Sequence, residues 1–357
     1  MVYELFISRA SPYSSKVLAL LGYAEVPHQV RVQNALTRYA VVKRLTGRTM
    51  VPVLRRGRWA INDSTEIARY IMRRSPRPTL PAGQARSLAW LLEDFADEWM
   101  VRWMVHSRWQ HREDARRLTD LVGQELTGYL PVGERLVGRA AAKALRRQMF
   151  LWGVRAENDA AMEGSALRCL EALELILSRP PKYLFASYPT VADFAIFGAL
   201  VQYSADPTGH QRLALYPVVR NYIRRLEAMT ETPPKVASRG GVVRDLAELQ
   251  PLFAEFLGTY WTLLVANYQC RASQSGRREV VATLLDGTRF ETRTSSYLQG
   301  RLEALLSLID ETYARQDRLF GEQGLRMERA LIQRIGELCE SPAGRGLLQN
   351  YEHVGMH

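Results

Sequence analysis

Three short stretches carry residue types that could hold and activate a small anion or thiol: Ser11-Pro12-Tyr13-Ser14, Met50-Val51-Pro52-Val53-Leu54 and Asn62-Asp63-Ser64-Thr65-Glu66. Each stands where a loop meets a strand or helix. Ser before Pro is a helix-start pattern, and the first N–H groups of a helix have no intrahelical partners. The partial positive charge there can hold an anion or depress the pKa of a nearby thiol. Asp63 with Glu66 three residues on has the shape of a capping box, which opens a second helix with the Ser64 hydroxyl and N–H available to a carboxylate. Between them Pro52 opens an apolar run that reads as a strand. Proline cannot donate to a ladder, so it belongs at a strand's first residue or edge, where a fixed turn exposes neighbouring backbone groups. The isomer of the Val51-Pro52 bond is left open. Read alone, Ser11 and Asp63 are ordinary helix caps; only the convergence of all three stretches makes a site.

The elements that must position them follow from periodicity. Tyr3 to Ile7 alternates as a strand, Ser14 to Gly22 is a helix, and His28 to Val32 is a second strand. Thr37 to Leu45 is a short helix, Val51 to Leu54 and Trp59 to Ile61 form a hairpin, and Ser64 to Arg73 is a closing helix. Three prolines and a glycine between Ser75 and Gly83 mark a linker. From Ala85 the pattern is helical, with a broad apolar face through Leu88, Leu92, Phe95, Trp99 and Trp103. Gly123, Gly128, Pro131, Gly133 and Gly138 are expected to mark bends between two short helices over 112–150. A longer helix runs from Asp159 to Ser178. Thr190 and Asp193 form a second capping box, ahead of a buried apolar helix. Another helix spans Tyr216 to Met229. After Gly240-Gly241 come a helix over Leu246 to Tyr268, strands flanking Asp286-Gly287, and helices over Tyr297 to Tyr313 and Leu325 to Leu338.

At these residues the chain resembles the glutathione transferase family. Ser11-Pro12-Tyr13 stands where members carry a catalytic Ser or Cys, Val51-Pro52 where they carry a cis-proline, and Asp63-Ser64 where an acidic-Ser pair holds the γ-glutamyl end of glutathione. Thr190-Val191-Ala192-Asp193 resembles the capping box of the family's helical domain. The resemblance implies an α+β chain: a thioredoxin-like glutathione-binding domain over 1–80, an all-helical transferase C-terminal domain over 85–238, and a helical extension over 241–357 with a β-hairpin at about 279–294. It implies glutathione as co-substrate, with Ser11 donating its hydroxyl to the thiolate. Tyr13 and Ser14 stand in for Ser11 if the loop register differs, Val51 and Pro52 meet the cysteinyl backbone, Asp63 and Ser64 hold the γ-glutamyl end, and Arg48 meets the glycyl carboxylate. Most of the apolar face after Leu88 is expected to be core, and the resemblance makes Met100, Trp103, Met104 and Ser107 candidates for the acceptor wall. With no Cys at the Ser11 position, glutaredoxin-like exchange is not expected.

Composition narrows the classes further. The 357 residues are 47% hydrophobic and 24% charged, as in an ordinary globular chain with room for two or three domains. No apolar run reaches ~18 residues and no signal-peptide pattern follows Met1, so a cytoplasmic protein without membrane spans is expected. Three dispersed cysteines suggest neither a disulfide framework nor a zinc site. The net charge of +11 is spread over every segment, which reads as a solvated surface and not a nucleic-acid footprint. His106 and His111 lack the i, i+4 spacing of a helical metal pair. The expected activity is attack of activated glutathione on a small, largely apolar electrophile, by conjugation or by a glutathione-dependent lyase or isomerase reaction, in a homodimer. The alternative is a non-catalytic transferase-like protein whose extension or basic surface binds a protein or nucleic acid.

Overall fold

The computed structural model describes residues 2–308 except 84, 129, 131–132, 232–241, 274–277, 285 and 306. The expected helix over Leu325 to Leu338, the end of that over Tyr297 to Tyr313, Cys339 and the Gly240-Gly241 junction lie outside the described residues.

The N-terminal domain follows the expected order: β1 (Tyr3–Ile7), α1 (Pro12–Tyr23), β2 (His28–Val32), a π-helical turn (Thr37–Val42) leading into α2 (Lys43–Thr46), β3 (Val53–Arg56), β4 (Trp59–Asn62) and α3 (Ser64–Met72). The sheet order is β2-β1-β3-β4, with β1 parallel to β2 and the other pairs antiparallel. Register decides what the sheet positions. Phe6 lies opposite Val53, and Val53 opposite Asn62. The end of β1, the start of β3 and the end of β4 therefore share one end of the sheet. The three candidate stretches leave or enter the sheet there.

The helical part begins with α4 (Ala85–Phe95), a π-turn (Ala96–Met100) and α5 (Val101–Gln110), and continues with α6 (Arg112–Thr127), α7 (Glu134–Leu151) and α8 (Asp159–Ser178). Then come α9 (Val191–Ala205), α10 (Pro207–Leu213) and α11 (Pro217–Glu227). α9 is apolar nearly all round and lies in the middle of the core. Its capping box forms as the sequence suggests: Asp193 accepts from the Thr190 N–H and hydroxyl at 2.7 Å each, from the Leu184 N–H at 2.9 Å and from the Tyr222 hydroxyl at 3.0 Å. Four donors leave no part of this buried carboxyl unmet.

The region over 112–150 corrects the expectation of short, bent helices. α6 and α7 are 16 and 18 residues long, and Gly123 and Gly138 lie inside them. These glycines let two backbones touch: a Cβ on Gly123 would stand 2.4 Å from the Glu134 carbonyl oxygen, and one on Gly138 2.4 Å from that of Thr119.

The extension carries α12 (Gln250–Phe256), a π-turn (Leu257–Trp261), α13 (Thr262–Ala272), β5 (Glu279–Thr283) and β6 (Arg289–Arg293), followed by a helical stretch over 296–305. Its apolar residues belong to the same hydrophobic cluster as the core helices: Phe290 meets Trp99 edge-on, and Phe256 meets Phe95. Arg168 on α8 bridges Glu255 and Asp286 at 2.6 Å each, tying α12 and the hairpin tip to the helical domain.

Candidate active site

Ser11 is the N-cap of α1, and its Oγ accepts the Ser14 N–H at 3.2 Å. That bond uses an acceptor lone pair and leaves the hydroxyl proton for a second partner. The loop ahead of it is locked from three helices. Glu125 on α6 accepts the Arg9 N–H and the Ser8 hydroxyl at 2.6 Å each. Gln202 on α9 donates to the Arg9 carbonyl at 2.9 Å, and Arg108 on α5 to the Ala10 carbonyl at 3.3 Å. Arg108 is itself fixed by Asp206 at 2.5 Å. Ser14 is buried, with its hydroxyl accepting the Ser8 N–H at 3.3 Å. Tyr13 points across to the helical domain, donating to the Asp97 carbonyl at 3.0 Å. Burial pushes its hydroxyl well above the ordinary tyrosine range, and Glu98 and Asp97 reinforce the shift, so it remains a neutral donor.

The second helix start lies against the same carboxylate. Asp63 holds φ at +82°, outside the range ordinary side chains adopt, and caps α3 by accepting the Thr65 and Glu66 N–H groups at 2.9 and 3.3 Å. Ser64 donates to Asp97 Oδ2 at 3.2 Å, and Lys16 on α1 donates to that same oxygen at 2.6 Å and to Glu93 at 2.5 Å. Thr65 closes the network on Glu93 at 2.6 Å. Burial raises the Asp97 carboxyl to about 7 despite the Lys16 ammonium beside it. For Lys16, burial works against the charge, but Asp97 and Glu93 outweigh it and raise the ammonium's pKa. Asp97 thus joins the starts of α1 and α3. The third stretch completes the sheet end, with Val51-Pro52 a cis peptide immediately before β3. Arg48 is exposed in the turn ahead of it, where Thr46 Oγ1 donates to the Arg48 carbonyl at 3.0 Å.

The four residues expected at the acceptor wall do not share one surface. Met100 and Met104 are 0% exposed and Trp103 is 1% exposed, inside the core cluster. Trp103 and Ser107 touch a separate small cavity beside His106, Asp159 and Tyr203. Met100, Trp103 and Met104 belong to the apolar face that the helical spacing marks, and that face packs as core. Glu98 and Arg102 instead line a cavity of about 270 Å3, together with Trp152 and with Thr292 and Tyr297 from the extension. Tyr13 of α1 donates to the carbonyl of Asp97, the residue before Glu98, which brings the Glu98 wall of that cavity close to the α1 start. Glu98, Arg102, Asp97 and Lys16 were not singled out in the sequence, where a charge inside an apolar stripe was the only signal. His106 is buried with its Nε2 2.9 Å from Asp159 Oδ1, and burial lowers its pKa.

The family model for the glutathione S-transferase N-terminal domain matches residues 5–79, and that for the C-terminal domain matches 143–225. The segment between them and the extension lie outside both matches. Among solved structures, a GST-like protein of Pseudomonas syringae is 19% identical, with 65% of this chain and 68% of that chain covered and a TM-score of 0.43. The β-etherase LigF of Sphingobium sp. strain SYK-6 is 18% identical (64% and 96% covered, TM-score 0.45), and a glutathione transferase of Phanerochaete chrysosporium 17% (66% and 99%, TM-score 0.46). No curated protein matches the chain in sequence. With both domain matches in order, and with the α1 start, the cis-proline and the α3 start gathered at one end of the sheet, the chain belongs to the glutathione S-transferase family.

Proposed function

We propose that the protein is a glutathione-dependent transferase in which Ser11 donates a hydrogen bond to the glutathione thiolate, which then attacks a small electrophile. The observation that carries this reading is Asp97, which accepts from Lys16 of α1 and Ser64 of α3 and so fixes two helix starts side by side. A thiolate next to the first N–H groups of α1 gains from the positive end of the helix, and the Ser11 hydroxyl, whose cap bond uses only a lone pair, is the donor proposed for it. Asp63 and Ser64 stand where the γ-glutamyl end is held, Val51 and Pro52 where backbone groups face the cysteinyl unit, and Arg48 near the glycyl carboxylate. With Glu98, Arg102 and Tyr297 at the adjoining cavity, the acceptor side is more polar than the sequence suggested.

Thiolate attack with conjugation is the simplest reaction this arrangement supports; lyase and isomerase reactions share the same first step. No helix among the described residues is long and apolar enough to cross a membrane. A homodimer working in the cytoplasm is the setting proposed. Retention on immobilised glutathione together with turnover of a general chloronitroaromatic electrophile tests the reading. Failure to bind glutathione by titration overturns it.

A further inference from the structure

Arg102 is 2% exposed and sits in the wall of the cavity formed by Glu98, Trp152, Thr292, Arg293 and Tyr297. A buried guanidinium is costly unless it is paired. Its protein partners are neutral: Nε donates to the Glu98 carbonyl at 3.3 Å, Nη1 donates to the Trp152 carbonyl, and the group faces the rings of Trp99, Trp152 and Phe290 at 5.8 to 5.9 Å. Among the described residues no carboxylate oxygen lies within ion-pair distance of it. Glu98 is the nearest candidate, one helical turn away, but its Oε1 accepts the Tyr297 hydroxyl. Most of the cavity wall comes from the extension, which contributes a second guanidinium, Arg293.

We propose that this cavity binds a small ligand bearing a carboxylate, held by Arg102, with its apolar body against Trp152 and Leu298. Tyr13 of α1 donates to the carbonyl of Asp97, the residue before Glu98, and the Asp97 carboxylate accepts from Ser64 at the start of α3, so the Glu98 wall of the cavity lies close to both helix starts. Its volume of about 270 Å3 lies just below the ~300–1,000 Å3 typical of ligand sites and suits a monocyclic acid. The proposal deepens the reading above by naming a carboxylate-bearing electrophile as the acceptor, and in that role it rests on that reading. Arg102 is then a specificity residue, and the extension supplies the rest of the wall.

The probes are cinnamate and its neutral isostere cinnamamide, titrated calorimetrically into the full-length protein with and without glutathione. Cinnamate should bind roughly tenfold tighter or better, as a charge-assisted pair to a desolvated guanidinium gives. Arg102→Met should abolish that preference while leaving the weak binding of the amide. If Arg102→Met does not fold, the probe pair on the unaltered protein still decides, alongside Tyr297→Phe, which should keep the preference for the acid. Equal affinities, absence of binding by both probes, or a preference that survives in folded Arg102→Met each overturn the proposal. Preference for cinnamate in a protein that does not bind glutathione keeps the anion site and removes the transferase reading; glutathione binding without the preference does the reverse.

Discussion

Lys16 Nζ lies 2.6 Å from Asp97 Oδ2, and both side chains are sealed between α1 and the π-turn that follows α4. With Glu93 at 2.5 Å on the other side, one cation is the shared partner of two carboxylates that would otherwise be buried without an ion pair. Lys16→Met should therefore destabilise the fold by about 3–5 kcal/mol, the usual result of breaking a buried pair from one side. Urea denaturation measures this directly. Adding Asp97→Asn to Lys16→Met should restore part of the loss, and a cost below about 1 kcal/mol for Lys16→Met, the range of a surface pair, would mean that the network is solvated.

Ser11→Ala separates two roles of one oxygen. Loss of the cap to the Ser14 N–H should cost about 1 kcal/mol of stability. If the hydroxyl also stabilises the thiolate, turnover should fall by ~100-fold, as for loss of one oxyanion donor. The thiolate absorbance of bound glutathione should then titrate at higher pH. A variant with the stability loss but an unchanged thiolate titration would show Ser11 to be a cap and nothing more.

The sheet end and both helix starts were legible because they are local: Ser before Pro, Asp three residues before Glu, and Pro opening an apolar run each carry their own geometry. Asp193 was legible for the same reason. What the sequence concealed was long-range. Lys16 reads as the solvated face of α1 until Glu93 and Asp97, about eighty positions later, fold onto it. Met100, Trp103 and Met104 read as a cleft wall only through the family resemblance, while the apolar spacing that holds them marks a core face, and they are buried in the core. Tyr297 could not be assigned to the site at all, since nothing local indicates that the extension returns to Glu98.

Gly138 offers a contest between two effects of known sign. Replacing a mid-helix glycine by alanine gains about 1 kcal/mol in propensity. At Gly138, however, the new Cβ would stand 2.4 Å from the Thr119 carbonyl oxygen and 3.3 Å from the Gly123 Cα, so α6 and α7 must part. Overpacking of this kind typically costs ~1–3 kcal/mol, and since the clash is with backbone, Gly138→Ala should come out destabilising in thermal melts. A stabilised variant would show that the two helices separate freely.

Phe290 tests whether the extension is part of the folding unit. It is fully buried against Trp99, in one hydrophobic cluster with the core helices. Phe290→Ala should cost about 3–5 kcal/mol in a single cooperative transition seen alike by fluorescence and circular dichroism. Two separated transitions, with only the first shifted, would assign the extension to an independent module.

Glu98 makes the stability depend on pH with a sign fixed by burial. Desolvation raises its carboxyl from 4.5 to about 7, against the Tyr297 hydrogen bond and the Arg102 charge, which act to lower it, while Asp97 and Asp63 push it further up. Arg293 at the cavity wall, Tyr13 on α1 and Tyr260 are further ionisable groups on this side. Because the native state keeps this proton more tightly than the unfolded chain does, the stabilisation is fully present below about 4.5 and is lost as pH rises toward about 7. The slope is at most about 1.4 kcal/mol per pH unit for one proton. Glu98→Gln removes the titration, so its melting temperature relative to the unaltered protein should rise steadily between pH 5 and pH 7. A difference that stays constant across that window would show that the Glu98 carboxylate is already solvated and ionised at pH 5, and would place the opening of the cavity at Glu98 itself.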